Sequence, residues 1–123
     1  MYKILLVDDA AFMRMILRNI IGRRDDVIIY EGKNGREGIE QYKLYKPDLM
    51  FMDVTMPEID GIEALKVIKV MDKNARVIIC SAMGQQPYII DAIKSGALDY
   101  IVKPFKIEKI EEVLEKYLKK IEK

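Results

Sequence analysis

The chain has 123 residues, half of them hydrophobic, with 21 lysines and arginines against 20 aspartates and glutamates. That length holds a single core, so one domain over 1–123 with no attached output domain is expected, and the near-neutral charge argues against non-specific binding to nucleic acid or to a membrane surface. Histidine is absent and cysteine occurs once, as Cys80, which removes histidine general bases, imidazole zinc sites and internal disulfides and leaves any chemistry to carboxylates, lysines, hydroxyls or a hard metal ion.

Met1 to Val7 carries a short apolar run that stops at Asp8 and Asp9, too short for a signal-peptide core or a membrane span, so a cytoplasmic protein is expected. Tyr2 to Val7 reads as a strand. A helix follows from about Ala10 to Ile21, with Phe12, Met13, Ile16, Leu17 and Ile20 on one broad stripe and Gly22 as its C-terminal cap. Val27 to Glu31 is the second strand, and the second helix starts after Asn34 as N-cap and stops before Pro47. Asp48 to Asp53 is the third strand. The third helix starts near Gly61 and sets Ile62, Leu65, Ile68 and Met71 at helical spacing. Arg76 to Cys80 is the fourth strand, in which Cys80 reads as a small buried apolar residue. A proline-in, glycine-out helix runs from near Pro87 to Gly96. Asp99 to Val102 is the fifth strand. The last helix, Ile107 to about Ile121, places Ile107, Ile110, Val113, Leu114, Tyr117, Leu118 and Ile121 on one side and a solvated Glu and Lys face on the other.

Strands that alternate with helices throughout, and that are nearly continuous in apolar residues, predict an α/β fold: a five-stranded, doubly wound parallel sheet with five helices in a three-layer sandwich. Ligands of such sheets bind beyond the carboxyl ends of the strands, where the strand order reverses. The first strand ends in Asp8 and Asp9, the third in Asp53, the fourth leads into Ser81 and the fifth into Lys103 and Pro104. Each polar residue has a bland reading by itself: Asp9 could cap the first helix, Asp53 could open a turn toward Pro57, Ser81 could cap a loop, and Lys103 could be a surface charge. Gathered on one edge they need a joint reason, because two unit charges about 4 Å apart repel by about 4 kcal/mol at an effective dielectric of about 20. Carboxylates and water suit Mg²⁺, and Lys103 supplies a second, movable positive charge.

Asp8 and Asp9 after the first strand, the run Asp53, Val54, Thr55, Met56, Pro57 followed by Gly61, then Ser81 with Ala82, and Lys103 with Pro104, together resemble the receiver-domain family of two-component signalling. The resemblance covers essentially the whole chain. The runs Val7 to Arg14 and Cys80 to Gln86 are similar to the single-domain chemotaxis regulators of that family. The resemblance implies a flavodoxin-like sandwich in which Asp53 is the phosphoacceptor, Asp8, Asp9, Asp53 and the backbone carbonyl of Thr55 hold Mg²⁺, and Lys103 and Ser81 engage the phosphoryl group. It implies Tyr100 as an aromatic switch. The donor would be a sensor histidine kinase of the chemotaxis type, and the reader a flagellar motor switch protein at the surface of the fourth helix, fifth strand and fifth helix. Such a protein is a signalling switch that catalyses its own phosphorylation and dephosphorylation rather than an enzyme, and it is expected to be a monomer.

Hydrolysis of an aspartyl phosphate needs an in-line water, and the residues best placed to orient it lie two beyond the acceptor and two beyond the hydroxyl residue, Thr55 and Met83. A methionine offers no acid and only a weak acceptor, so slow self-dephosphorylation, dependence on a separate phosphatase and acceleration by Met83→Glu are expected. A phosphorelay intermediate or stand-alone adaptor would share the same fold and Asp53. A haloacid-dehalogenase-type enzyme would carry its nucleophile and a second acid on the first strand, a flavodoxin-type cofactor binder would need a phosphate-cradling loop where Asp8 and Asp9 stand, and a DNA-binding regulator would need a helix-turn-helix after Glu122 and Lys123.

Overall fold

The computed structural model describes residues 1–82 and 85–121. In chain order the elements are β1 (Tyr2–Val7), α1 (Ala11–Ile21), β2 (Val27–Gly32), α2 (Gly35–Tyr45), β3 (Leu49–Asp53), α3 (Gly61–Met71), β4 (Val77–Ala82), α4 (Gln86–Lys94), β5 (Asp99–Lys103) and α5 (Ile107–Leu118). The strands form one parallel five-stranded sheet in the order β2-β1-β3-β4-β5. The doubly wound α/β fold expected from the alternation is the fold observed. Strand order reverses at β1, which pairs with β2 on one side and with β3 on the other.

Two apolar layers follow from the period-two alternation of the strands. Ile4 and Leu6 of β1, Leu49 and Phe51 of β3, and Ile78 and Cys80 of β4 face α1 and α5. Leu5 and Val7, Met50 and Met52, and Val77 and Ile79 face α2, α3 and α4 on the other side. Every residue of β3 is buried, as a central strand covered on both faces requires. Cys80 is 2% exposed and unpaired, the small buried residue the sequence suggested.

The helices begin where local chemistry starts them. Asn34 Oδ1 accepts the Glu37 N–H at 2.8 Å, the expected N-cap, and Asp60 Oδ1 does the same for Glu63 at the head of α3. Three apolar expectations are corrected. Phe12 in α1, Ile107 in α5 and Met71 in α3 are exposed, each in the terminal turn of its helix, and Leu17, Ile20, Ile21, Ile110 and Val113 form the buried stripes of α1 and α5. α5 also stops at Leu118, while Ile121 beyond it still packs on the α1 and α5 layer.

Candidate functional site

The sheet delivers the polar residues to one edge. The β1–β3 register pairs Val7 with Met52, so the next residues, Asp8 and Asp53, emerge side by side. The β4–β5 register pairs Ser81 with Val102 and Ala82 with Lys103, and Lys103 reaches back across β4 to the acids. Gly61 closes the floor: a methyl group there would stand 2.1 Å from the Asp53 carbonyl oxygen, so only glycine lets α3 start this close beneath the end of β3.

Asp8, Asp9 and Asp53 each offer a carboxylate oxygen, and these atoms all lie within 4.8 Å of one another. Asp8 and Asp53 are buried and Asp9 is exposed. Lys103 Nζ bridges the buried pair, donating to Asp8 Oδ2 at 2.9 Å and standing 3.2 Å from Asp53 Oδ1. The other Asp8 oxygen accepts the Ala10 N–H at 2.9 Å, and Arg14 donates to the Asp8 carbonyl while pairing with Glu31. It is thus Asp8, not Asp9, that anchors the approach to α1, and Ala10 makes no side-chain cap.

Three carboxylates against one ammonium leave an excess of two negative charges. Burial raises the Asp53 carboxyl above the usual carboxylate range, the Asp8 charge adds to it, and Lys103 works in the opposite direction. Burial alone would lower the Lys103 ammonium, but its hydrogen bond to Asp8 and the charges of both acids outweigh it and leave it raised. Asp53 and Lys103 shift the same way because the acid responds chiefly to burial and to Asp8. An all-oxygen donor set with surplus negative charge fits a hard divalent cation such as Mg²⁺.

Ser81 is fully buried, and its Oγ has no hydrogen-bond partner among the described residues. A buried hydroxyl without a partner costs about 1–3 kcal/mol. Tyr100 lies diagonally across from Ser81 on the same face of the sheet, since it pairs with Ile79, and it is 41% exposed.

A model of the "response regulator receiver domain" matches residues 4–115. The chain belongs to the receiver family. This receiver is 52% identical over 117 residues to the chemotaxis protein CheY of Bacillus subtilis, spanning 95% of this chain and 98% of that one. It is 53% identical over 117 residues to the CheY of Thermotoga maritima, with the same coverage. Among solved structures, the receiver domain of NtrX from Brucella abortus superposes with a TM-score of 0.89 at 27% identity, covering 96% of this chain and 99% of that one. Receiver domains bind Mg²⁺ at an acidic pocket, and Asp8, Asp9 and Asp53 form such a pocket here.

Of the residues singled out from the sequence, Asp8, Asp9, Asp53 and Lys103 converge directly, and Ser81 follows the Asp53–Cys80 pair by one position on β4. Tyr100 stands apart on the β5 face, beside an open groove that includes Asp99, Val102, Lys106 and Lys109. Met83 lies outside the described residues, as do Glu122 and Lys123. One participant was missed: Gln85 Oε1 accepts the Ala82 N–H at 2.7 Å, and its Nε2 donates to Thr55 Oγ1 at 2.9 Å. No spacing rule flags a glutamine whose second partner lies 30 residues away.

Proposed function

We propose that this receiver is a chemotaxis switch that accepts a phosphoryl group on Asp53 from a histidine kinase. The convergence of Asp8, Asp9 and Asp53 within 4.8 Å, with Lys103 bridging two of them, is the observation that carries the reading. A carboxylate oxygen of Asp53 attacks phosphorus, the N–P bond of a phosphohistidine breaks, and the electron pair returns to the imidazole of the donor. The donor histidine belongs to the kinase, because this chain has none.

Asp8, Asp9, Asp53 and the Thr55 carbonyl would hold Mg²⁺, which when bound neutralises charge on the phosphoryl oxygens. Lys103 keeps Asp53 aligned before transfer and pairs with the phosphoryl group afterwards. Ser81 turns its unpartnered hydroxyl to a phosphoryl oxygen, and Tyr100 follows by swinging inward from its exposed position. The output face is apolar for an exposed surface: Ile90 and Ile93 of α4, Tyr100 and Val102 of β5, and Ile107 of α5 all face solvent. It suits an amphipathic helix from a flagellar motor switch protein or from the chemotaxis kinase. The similarity to two CheY proteins at about half identity over nearly full length supports chemotaxis above a phosphorelay role. No helix among the described residues is long and apolar enough to cross a membrane, and we place the protein in the cytoplasm as a monomer served by a separate phosphatase.

The test is incubation with a small-molecule phosphodonor and Mg²⁺ followed by intact mass. The wild-type protein should gain one phosphoryl group, and Asp53→Asn should gain none. Equal labelling of both would refute Asp53 as acceptor, and capture of the labelled form by phosphotransfer proteins instead of motor-switch proteins would refute the chemotaxis output.

A further inference from the structure

Gln85 occupies the N-cap position of α4, yet its side chain makes no capping bond to that helix. Its carboxamide turns across the end of the sheet instead, with Oε1 on the Ala82 N–H and Nε2 on Thr55 Oγ1. One side chain thereby ties the end of β4 to the loop after β3. Both partners flank groups that phosphorylation uses, since Ala82 directly follows Ser81 and Thr55 stands two residues beyond Asp53. At the end of β4 the polar groups are thus unevenly committed. Ser81 Oγ is buried with no partner among the described residues, whereas the neighbouring Ala82 N–H is already taken. An N–H carries one hydrogen, so a phosphoryl oxygen that draws on it competes with the Gln85 carboxamide.

We propose that Gln85 is a positioning residue that latches the unphosphorylated state: its carboxamide holds Ala82 and Thr55 across the mouth of the site and releases both when the end of β4 closes on a phosphoryl group. The latch rests on Asp53 being the phosphoacceptor. Its bonds exist in the starting state and not in the product, so they oppose phosphorylation and leave hydrolysis of the product alone. Ala82 and Thr55 are exposed and Gln85 is half-buried, which puts each bond at the low end of the usual range. Together they should slow phosphorylation about fivefold, roughly 1 kcal/mol at about 1.4 kcal/mol per tenfold.

The experiment compares the wild-type protein with Gln85→Ala, Thr55→Val and the double variant. Without Mg²⁺ or phosphodonor, exchange of the Ala82 amide hydrogen, read by NMR, should quicken about fivefold in Gln85→Ala. With a small-molecule phosphodonor and Mg²⁺, intact mass should show Gln85→Ala labelled about fivefold faster, with loss of label within about twofold of wild type. A merely structural role would move both rates. Thr55→Val should give part of the acceleration, and adding Gln85→Ala to it should gain less than Gln85→Ala gains alone. Unchanged Ala82 exchange, or labelling no faster than wild type, would overturn the latch. If the wild-type protein takes no label, the phosphoacceptor reading fails instead, and the exchange measurement, which needs neither reagent, still decides whether Gln85 holds Ala82.

Discussion

Replacing Gly61 with alanine probes how tightly α3 is pressed against the strand that carries Asp53. The added Cβ would lie 2.1 Å from the Asp53 carbonyl oxygen and 2.9 Å from both the Asp53 carbonyl carbon and the Val54 Cα. All of these are backbone atoms, so no side-chain rotation relieves the clash. Reaching ordinary contact requires α3 to back away by about 1 Å, which strains the 2.9 Å bond from the Gly61 N–H to the Val54 carbonyl and loosens Ile62 and Leu65 in the core. Overpacking of about 1–3 kcal/mol and a weakened hydrogen bond of about 1 kcal/mol, less about 1 kcal/mol of helix propensity gained by alanine, leave a net loss of about 1–3 kcal/mol. At a urea slope of about 2 kcal/mol per molar, the unfolding midpoint should fall by about 0.5–1.5 M. Gly38→Ala is the matched control, since its Cβ would meet side-chain atoms of Val7 at 3.1 and 3.2 Å and of Met50 at 3.4 Å, which can shift. A Gly61→Ala midpoint within about 0.3 M of wild type, at unchanged slope, would refute the close-approach argument.

Three further outcomes follow from other parts of the molecule. Mg²⁺ at about a hundred times its dissociation constant should stabilise the wild-type fold by about 2.7 kcal/mol, and Asp8→Asn should lose at least about 1 kcal/mol of that increment at the same concentration; an equal thermal shift in both proteins would remove Asp8 from the ligand set. Tyr117 Oη donates to Asp99 Oδ2 at 2.7 Å, and burial, then that bond, raises the phenol to about 12, so Tyr117→Phe should cost about 1 kcal/mol near neutral pH. Because the folded phenol stays protonated longer than the unfolded one, that stabilisation is complete below about pH 10 and vanishes as pH rises through about 12; a gap between the two denaturation midpoints that persists above this window would contradict the assignment. On the sequence expectation for position 83, Met83→Glu should speed loss of label from the phosphoprotein by offering the attacking water an acceptor, and an unchanged decay would dismiss that role.

The fold was legible because its signal is periodic. Continuous apolar strands such as Leu49 to Met52 and stripes such as Ile62, Leu65 and Ile68 report burial on their own. Helix ends were less legible, since Phe12 and Ile107 carry the right residue type in a first turn that stays exposed. At the site, Asp8, Asp9, Asp53 and Lys103 were found because each ends a strand, and parallel strands bring their ends together whatever the spacing along the chain. Pairing within the site was not legible. Whether Lys103 would reach Asp53 alone or share itself with Asp8 depends on side-chain reach across β4, and Gln85 acts through a contact that only the folded loops create.

That shared lysine couples the two halves of the site. Asp8 has both oxygens committed at rest, one to the Ala10 N–H and one to Lys103, whereas Asp53 shares the same ammonium at the longer distance of 3.2 Å. A phosphoryl group at Asp53 would increase the negative charge there and would draw Lys103 away from Asp8. A buried carboxylate stripped of its cation is costly, so Asp8 then gains more from a divalent ion than it did before. Coupling of this kind is reciprocal: if the phosphoryl group strengthens cation binding at Asp8, the cation must stabilise the phosphoryl group at Asp53 by the same free energy. Lys103→Met breaks the exchange by leaving no ammonium to move. In that variant the affinity for Mg²⁺ should depend less on whether Asp53 carries a phosphoryl group, because only the direct attraction between ion and phosphoryl oxygens remains, and a dependence as steep as in the wild-type protein would show that Lys103 does not link the two sites.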